Sequence, residues 1–296
     1  MTTPMPTPRI FTCNWTLFPV MDVVEAARFT AREGFAGIEL ESSPLGFWPT
    51  TLPESTLREL ADIGKREGIG YSVHAPDSLN PATDQPETRT RDREIFRRLL
   101  DIAVRLSSPV VGIHPGVAHA LFALERHATP FRVERYRPDR LVGEARERAV
   151  ETIAEWGDLC RDAGLTLTVE NEVHVRHTVA PTADILKAMI RQTDRENIRV
   201  NLDTGHAYIG AGLLEEFRTL EPLIVQMHLD DGQKPGVSEH LPLGEGRADF
   251  SPLAHFIASM PGPAVLEIFA PDRPVEATRE SRDYLLRVLR EAGVSA

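Results

Sequence analysis

The chain has 296 residues, with an apolar fraction of 42%, a charged fraction of 26% and a formal net charge of −11. These fractions are typical of a globular protein with a large core, and the negative charge disfavours binding to nucleic-acid backbones and anionic membranes. The N-terminus has no apolar signal segment, and no apolar run approaches the roughly 20 residues that span a bilayer. We therefore expect a cytoplasmic protein without a membrane-spanning segment.

Eight short apolar runs alternate with longer amphipathic segments along the chain. The predicted strands cover residues 9–13, 36–40, 69–74, 110–114, 165–170, 198–203, 223–228 and 264–269. The predicted helices cover residues 21–32, 54–67, 88–106, 144–163, 182–192 and 275–290, with shorter ones at 213–220 and 252–259. Strand–helix alternation favours a parallel sheet, and a helix after the eighth strand favours closure. The pattern predicts one domain over residues 1–296, a single (β/α)8 TIM barrel.

The longest irregular stretch, residues 115–142, lies between the fourth strand and its helix. It carries five arginines, namely Arg126, Arg132, Arg135, Arg137 and Arg140. Loops of this length in a compact domain are usually functional or mobile. A solvated arm or oligomer contact, a substrate lid and a nucleic-acid contact are the alternatives for it.

Residues two apart on a strand share a face. Thr168 shares a face with Glu170, Asn201 with Asp203, and the residues between them are apolar. In a barrel the apolar face packs on the helices, so the polar face is expected to point into the lumen. Burying single polar groups there costs several kcal/mol each, and a shared metal or hydrogen bonds would remove that cost.

Six polar residues fall at or near the carboxyl ends of their strands, where barrels of this type carry the active site. They are His74, His114, Glu170, Asp203, His228 and Glu267. One histidine alone is also typical of a hydrogen-bonded structural residue, but the joint pattern predicts a metal site. Three carboxylates with one imidazole suit Mn²⁺, Mg²⁺, Co²⁺ or Zn²⁺. Such an ion polarises a carbonyl while a carboxylate removes a neighbouring carbon-bound proton.

Short motifs in chain order give a resemblance to a known family. They are GFAGIEL, VHAP, HPG, VEN, LDTGH, HLDD, LPLGEG and LEIF. In this series the chain resembles the xylose isomerase-like barrel superfamily, which groups sugar and sugar phosphate isomerases and epimerases with endonuclease IV. The motifs span most of the chain, and they are more specific to the superfamily than to one reaction.

The resemblance implies a role for several of these residues. By position, the metal quartet of the isomerases and epimerases would be Glu170, Asp203, His228 and Glu267. In the epimerases the two glutamates are also base and acid on opposite faces of an enediolate, which would make Glu170 and Glu267 catalytic. His206 matches a family histidine that contacts a substrate oxygen, and His74 occupies a strand position that also faces the substrate.

The endonuclease branch implies further metals. His74 and His114 match the ligands of its first metal, with Glu170 bridging, so a second Zn²⁺ at these histidines is an alternative. His206 and His240 match two ligands of its third metal. The remaining ligand in that branch is an aspartate where this chain has Ser238, a poor zinc ligand, which argues against a full trinuclear phosphodiesterase.

Other residues are expected near the substrate. His74, His114, His206 and His240 are predicted to contact it, and Trp15 and Trp48 follow the first two strands, where they would wall a pocket or simply pack. Glu39 is polar in a buried strand, so a hydrogen-bonding role and a substrate contact are both open.

The leading hypothesis is a divalent-metal-dependent isomerase or epimerase of a small sugar or other polyhydroxylated carbonyl compound. The alternatives are a metal-dependent dehydratase or lyase on a cyclic polyol or ketoacid, an endonuclease IV-like zinc phosphodiesterase, and a non-catalytic sugar-binding or scaffolding barrel. Members of this superfamily are often dimers or tetramers, so by analogy a homo-oligomer is also an open alternative.

Overall fold

Eight parallel strands pair in chain order and close into a barrel, with the last strand hydrogen-bonded to the first. The computed structural model describes residues 8–43, 46–121, 138–172, 175–234 and 236–294. It confirms the predicted (β/α)8 TIM barrel. The extent of the domain over residues 1–296 stays a prediction.

The strands and helices have the following bounds. The strands are β1 (Ile10–Cys13), β2 (Gly37–Glu41), β3 (Gly70–His74), β4 (Val110–Ile113), β5 (Thr166–Glu170), β6 (Ile198–Asp203), β7 (Ile224–Leu229) and β8 (Ala264–Leu266). The helices are α1 (Asn14–Leu17), α2 (Val23–Arg32), α3 (Glu54–Glu67), α4 (Pro86–Arg105), α5 (Pro138–Asp162), α6 (Ala183–Gln192), α7 (Thr204–Ile209), α8 (Leu213–Leu220), α9 (Ala254–Ser259) and α10 (Pro274–Glu291). Two 3₁₀ turns cover Glu221–Leu223 and Ser251–Leu253.

Local sequence signals explain where several helices begin and end. Asp22 accepts hydrogen bonds from the first turn of α2, and the Glu25 carboxylate accepts one from the backbone N–H of Asp22, which forms a capping box. Gly68 ends α3 with a φ of 72°, a left-handed conformation that glycine adopts without strain. These caps direct the chain from each helix into the next strand.

The helix α5 begins at Pro138, six residues before the predicted start at residue 144. Proline is well suited to the first turn of a helix, where its missing N–H costs nothing. The irregular segment is therefore shorter than 115–142 at its C-terminal end. Of its arginines, Arg140 lies in α5 and pairs with Glu144 at 2.7 Å; the other four lie in 122–137, outside the described residues.

The alternation along the strands separates an apolar layer from a polar lumen. Side chains such as Leu167, Val169 and Leu202 are buried in the core between the sheet and the helices. In the lumen, Gln226 Nε2 of β7 donates to Glu39 Oε2 of β2 at 2.5 Å, although these strands are not neighbours. The polar face therefore points inwards, as the period-two pattern predicts.

None of the helices in the described ranges combines the length and the apolar character that crossing a bilayer requires. Two short helices, α1 and α7, were not predicted. They have four and six residues, too few for a helical hydrophobic period to be seen.

Candidate metal centre

The six strand-end residues predicted from the sequence lie together at the carboxyl end of the barrel. His74, Glu170 and Asp203 are the last residues of β3, β5 and β6. His228 is the penultimate residue of β7, and His114 and Glu267 directly follow β4 and β8.

Four of these residues form one compact cluster. Glu170, Asp203, His228 and Glu267 each offer a ligand atom, and these four atoms all lie within 4.8 Å of one another. His228 Nδ1 is 3.2 Å from Glu170 Oε2 and 2.8 Å from Glu267 Oε2. All four residues are buried. A single cation of ordinary radius could contact an atom of every member.

The orientation of His228 depends on Glu39, a residue with no exposed surface. Glu39 Oε1 lies 2.6 Å from His228 Nε2, on the side of the ring away from the cluster. With Nε2 held by Glu39, Nδ1 is the nitrogen that faces Glu170 and Glu267, and a bound cation would take its lone pair in place of a proton. Glu39 therefore has the hydrogen-bonding role and does not line the cavity above the cluster.

The orientation of Asp203 depends on the start of α7 and on Asn171. Asp203 Oδ1 accepts the backbone N–H of His206 at 2.6 Å and so caps α7. The amide of Asn171 binds the backbone of Asp203 on both sides, accepting from its N–H at 2.7 Å and donating to its carbonyl at 3.1 Å. These contacts leave Asp203 Oδ2 free to face the cluster.

A second ligand group shares Glu170. The ligand atoms of His74, His114 and Glu170 also lie within 4.8 Å of one another. His74 Nε2 is 3.3 Å from Glu170 Oε2, and His114 Nε2 is 3.7 Å from Glu170 Oε1. A Cβ at Gly112 would lie 2.2 Å from His74 Cδ2, so glycine there leaves room for the imidazole.

A third group consists of Asp203, Asp230 and His240. His240 Nδ1 lies 3.2 Å from Asp230 Oδ2. In the endonuclease branch the carboxylate beside this histidine is an aspartate at the position of Ser238. In this structure Asp230, which directly follows β7, is the carboxylate that lies beside His240. His206 is not in this group; its Nδ1 lies 3.2 Å from Glu170 Oε1.

The donor atoms fit a bound cation. Asp203 Oδ2, His228 Nδ1 and Glu267 Oε2 are buried and form no hydrogen bond with the described residues. The same holds for His74 Nε2 and Asp230 Oδ2. No lysine or arginine is buried in the described ranges, although many carboxylates are. Buried acceptors without donors are costly, and a divalent cation would compensate them.

Burial opposes every charge in this cluster, so the pKa of each group depends on its neighbours. Burial raises the pKa of the Asp203 carboxyl well above its usual value, and Asp230 raises it further. For Glu170 the facing imidazoles, His228 first, outweigh burial and lower the pKa. Burial lowers the pKa of His206, but Asp203 and Glu170 raise it to about 9. Protons therefore remain here at neutral pH, and a cation that binds must displace some of them.

A cavity of about 450 Å³ opens above the cluster. Of the predicted substrate-binding residues, Trp15, His114, His206 and His240 line it, together with Glu170 and Glu267. His74 is not among the described residues that line it; its ring lies 5.0 Å from that of His114 between centroids.

The two tryptophans are placed differently. The ring of Trp15 contacts His240 edge-on at 5.4 Å and lies 5.4 Å from that of Phe269, so it forms a wall of the cavity. Trp48 packs against the apolar core and is not among the described residues that line the cavity. Packing, rather than a pocket wall, is the arrangement seen for Trp48.

A family model described as a xylose isomerase-like TIM barrel matches residues 27–288. The chain belongs to this family. The resemblance inferred from the motifs is therefore confirmed.

The individual relatives found are distant in sequence. An uncharacterized protein of Methanocaldococcus jannaschii is 26% identical over 203 residues, which is 67% of this chain and 64% of that protein. The match thus spans less than two thirds of this relative's length. A probable endonuclease 4 of Mycobacterium leprae is 22% identical over 226 residues, covering 74% of this chain and 81% of that protein.

Several solved structures share the fold over nearly the whole chain. A D-tagatose 3-epimerase-like protein has a TM-score of 0.78 at 22% identity, covering 96% of this chain and 98% of that one. An L-ribulose 3-epimerase has a TM-score of 0.75 at 18% identity, with 97% and 96% covered. The IOLI protein with a zinc atom has a TM-score of 0.76 at 16% identity, with 96% and 99% covered.

Several acidic residues of the candidate site were not predicted from the sequence. They are Glu41, Asp77 and Glu172, which line the cavity, and Asp230, which completes the third group. Glu41, Glu172 and Asp230 each lie two residues after an inward-facing residue, so extending the period-two pattern past the strand ends would have found them. Asp77 lies in the loop after β3 and has no such signal.

Proposed function

We propose that this protein is a divalent-metal-dependent isomerase or epimerase of a small polyhydroxylated carbonyl compound. The observation that carries the proposal is the placement of two buried glutamates, Glu170 and Glu267, on the floor of one cavity. Both are within 3.2 Å of the same nitrogen, Nδ1 of His228. They come from β5 and the end of β8, on different sides of the barrel opening.

Two carboxylates placed in this way suit a proton transfer at carbon. One glutamate would remove the proton from the carbon next to the substrate carbonyl, which leaves an enediolate. The other would return a proton, to the opposite face of the same carbon in an epimerase or to the neighbouring carbon in an isomerase. Both groups have a lowered pKa: the imidazole of His228 outweighs the effect of burial. The glutamate that removes the proton would therefore be ionised at neutral pH, and the one that returns a proton would first take it from the solvent.

Asp203 and His228 would complete the ligand set with these two glutamates. When bound, the divalent cation would polarise the carbonyl and the adjacent hydroxyl of the substrate. His206 and His114, on the cavity wall, would hydrogen-bond substrate oxygens, and Trp15 would pack against the carbon skeleton.

The charge of the cavity suggests an uncharged substrate. None of the described residues that line it is a lysine or arginine. Three of its imidazoles, those of His114, His206 and His240, already lie within 4 Å of carboxylate oxygens. Phosphate groups are usually held by guanidinium or ammonium donors. We infer that free sugars bind better than their phosphate esters.

The test uses free ketoses and aldoses of five and six carbons, beginning with tagatose and ribulose because the similar solved structures include enzymes named for these sugars. Each sugar and its phosphate ester is incubated with the Mn²⁺-loaded protein in D₂O. An isomerase or epimerase incorporates deuterium at carbon without loss of water, whereas a dehydratase product is lighter by one water. Turnover of no sugar would reject the proposal, and a preference for the esters would reject the uncharged substrate.

Variants identify the catalytic groups. Glu170→Gln and Glu267→Gln are expected to lower kcat at least about a hundredfold, the usual contribution of a general acid or base. Glu151→Gln removes an exposed carboxylate of α5 that neither belongs to the cluster of four nor lines the cavity, so it is the matched control. Metal content is measured in each variant, because a fall in kcat with full metal content separates proton transfer from metal binding.

The second candidate is hydrolysis of a phosphodiester by several metal ions. It is favoured by the two further ligand groups, in which His74, His114 and Glu170 form one and Asp230 completes the other. Elemental analysis of the protein and of His114→Ala and Glu267→Ala decides between the candidates. About one equivalent that is lost only with Glu267→Ala supports the isomerase. Two or more zinc equivalents, one lost with His114→Ala, favour the hydrolase, which nicking of abasic duplex DNA would then test.

A further inference from the structure

A buried carboxylate that belongs to none of the three ligand groups lies behind the metal centre, connected to Asp203 through Asn171. Glu216 belongs to α8 and is 1% exposed. Its Oε2 accepts a hydrogen bond from Asn171 Nδ2 at 3.3 Å, and its Oε1 accepts one from the backbone N–H of Ala211 at 3.3 Å. A glutamate on a surface helix normally points into the solvent, because burying a carboxylate costs free energy. The burial of Glu216 therefore calls for an explanation other than folding stability.

Asn171 connects this carboxylate to the ligand Asp203. Asn171 Nδ2 donates one hydrogen bond to the carbonyl of Asp203 and the other to Glu216. Its Oδ1 accepts from the N–H of Asp203 at 2.7 Å. All of the hydrogen bonds that the Nδ2 group can donate are thus made, and the amide is held at three points.

The same residue also contacts His206. The backbone carbonyl of Asn171 lies 2.9 Å from His206 Nδ1, and the N–H of His206 donates to Asp203 Oδ1. Asp203, His206 and Asn171 therefore form one hydrogen-bonded unit, and Glu216 ties that unit to the corner between α7 and α8 through Ala211.

We propose that Glu216 is a positioning residue, which acts through Asn171 to hold Asp203 and His206 in the geometry that binds the cation and the substrate. Glu216→Gln leaves one acceptor oxygen for two donors, so either Asn171 Nδ2 or the N–H of Ala211 loses its acceptor, and the backbone of Asp203 loses a rigid support. Among the described residues, Glu216 is hydrogen-bonded to Asn171 and Ala211 rather than to a cation ligand, and it is not in the lining of the cavity. The inference rests on the proposed function only in that Asp203 binds a divalent cation.

The experiment measures the Kd for Mn²⁺ by competition with a chelator, and the visible absorption of bound Co²⁺, in four proteins. They are the wild type, Glu216→Gln, Asn171→Ala and the double variant. Groups that orient metal ligands typically contribute about 10–100-fold to affinity. We expect Glu216→Gln to raise the Kd about tenfold, Asn171→Ala to raise it more, and the double variant to match Asn171→Ala. Non-additivity of this kind shows that one residue acts through the other.

Glu215→Gln is the matched control, because Glu215 is the exposed neighbour on the same helix. A Kd for Glu216→Gln equal to that of Glu215→Gln would overturn the proposal, and so would additive effects in the double variant. If Asn171→Ala does not fold, Asn171→Ser replaces it. A wild type that binds Mn²⁺ but turns over no sugar refutes the proposed function, while the Kd values still decide the role of Glu216.

Discussion

Glu39 Oε1 and His228 Nε2 lie 2.6 Å apart across the lumen of the barrel, although the two residues are 189 positions apart in the chain. The carboxylate makes the imidazole more basic and selects Nδ1 as the nitrogen that faces the other ligands. Neither residue has any exposed surface, so the contact does not depend on solvent. Its effect on the affinity for the cation can be measured without knowledge of the substrate.

Glu39→Gln is expected to weaken the binding of Mn²⁺ or Zn²⁺ about 10–100-fold, the usual effect of removing such a carboxylate. The glutamine retains the volume but not the charge that polarises His228. Chelator competition measures the Kd, and Glu151→Gln, on the exposed surface of α5, controls for the change in net charge. An unchanged Kd would show that His228 does not bind the cation.

Removal of the metal is expected to destabilise the protein, because the carboxylates at the carboxyl end of the barrel have no buried lysine or arginine near them in the described ranges. A free metal concentration of 100 times the Kd stabilises the native state by about 2.7 kcal/mol. For a chain of 296 residues that is a rise in Tm of about 4 °C. Thermal unfolding with Mn²⁺ and with excess chelator measures it. The difference should vanish in Glu267→Ala, and a difference that persists there would place the stabilising ion elsewhere.

Gly112→Ala is expected to displace His74, since a Cβ at this position would lie 2.2 Å from His74 Cδ2. Overpacking of this kind costs about 1–3 kcal/mol of stability, and kcat should fall because His74 and Glu170 separate. Denaturant unfolding and steady-state kinetics measure the two effects. Gly143→Ala, in α5 with no atom within 4 Å of the added Cβ, should instead be neutral or stabilising by up to about 1 kcal/mol. Equal behaviour of the two variants would contradict the crowding at His74.

Burial raises the pKa of Glu216 from an ordinary value of 4.5 to about 7. Between these values the native protein keeps a proton that the unfolded chain releases. The free energy of unfolding therefore falls as the pH rises through this window, by up to about 3 kcal/mol. Glu216→Gln has no such proton to lose. Guanidinium unfolding at pH 5, 6, 7 and 8 with saturating metal should show a steeper fall for the wild type than for the variant. Parallel curves would show that Glu216 does not titrate in this range.

Much of the fold and of the centre could be predicted from the sequence. The eight strands and the alternating helices follow from short-range patterns, and each observed strand overlaps its predicted range. The same period-two alternation directs Glu170 and Asp203 into the lumen, and the parallel arrangement brings all strand ends to one rim. These features depend on residues close in sequence, so a single chain was enough to infer them.

Other features have no local signal. The start of α5 at Pro138 lay within a stretch predicted to be irregular, and α7 is too short to show a helical period, although its first turn orients Asp203. Asp230 was assigned no role because the carboxylate beside His240 was expected at position 238. Which acid reaches His240 depends on how the loop after β7 returns to the barrel, where the N–H groups of Gly244 and Gly246 bind Asp231.

The sequence by itself determined the barrel and the residue types at its rim, because strand period and strand–helix alternation are local properties of the chain. Only the tertiary structure decided which side chains orient which ligands. Glu39 reaches His228, and Glu216 reaches Asn171, between elements far apart in the sequence. Such hydrogen bonds require atoms to meet within a few tenths of an ångström. That precision comes from the closure, register and helix packing of the whole barrel, which no short segment specifies.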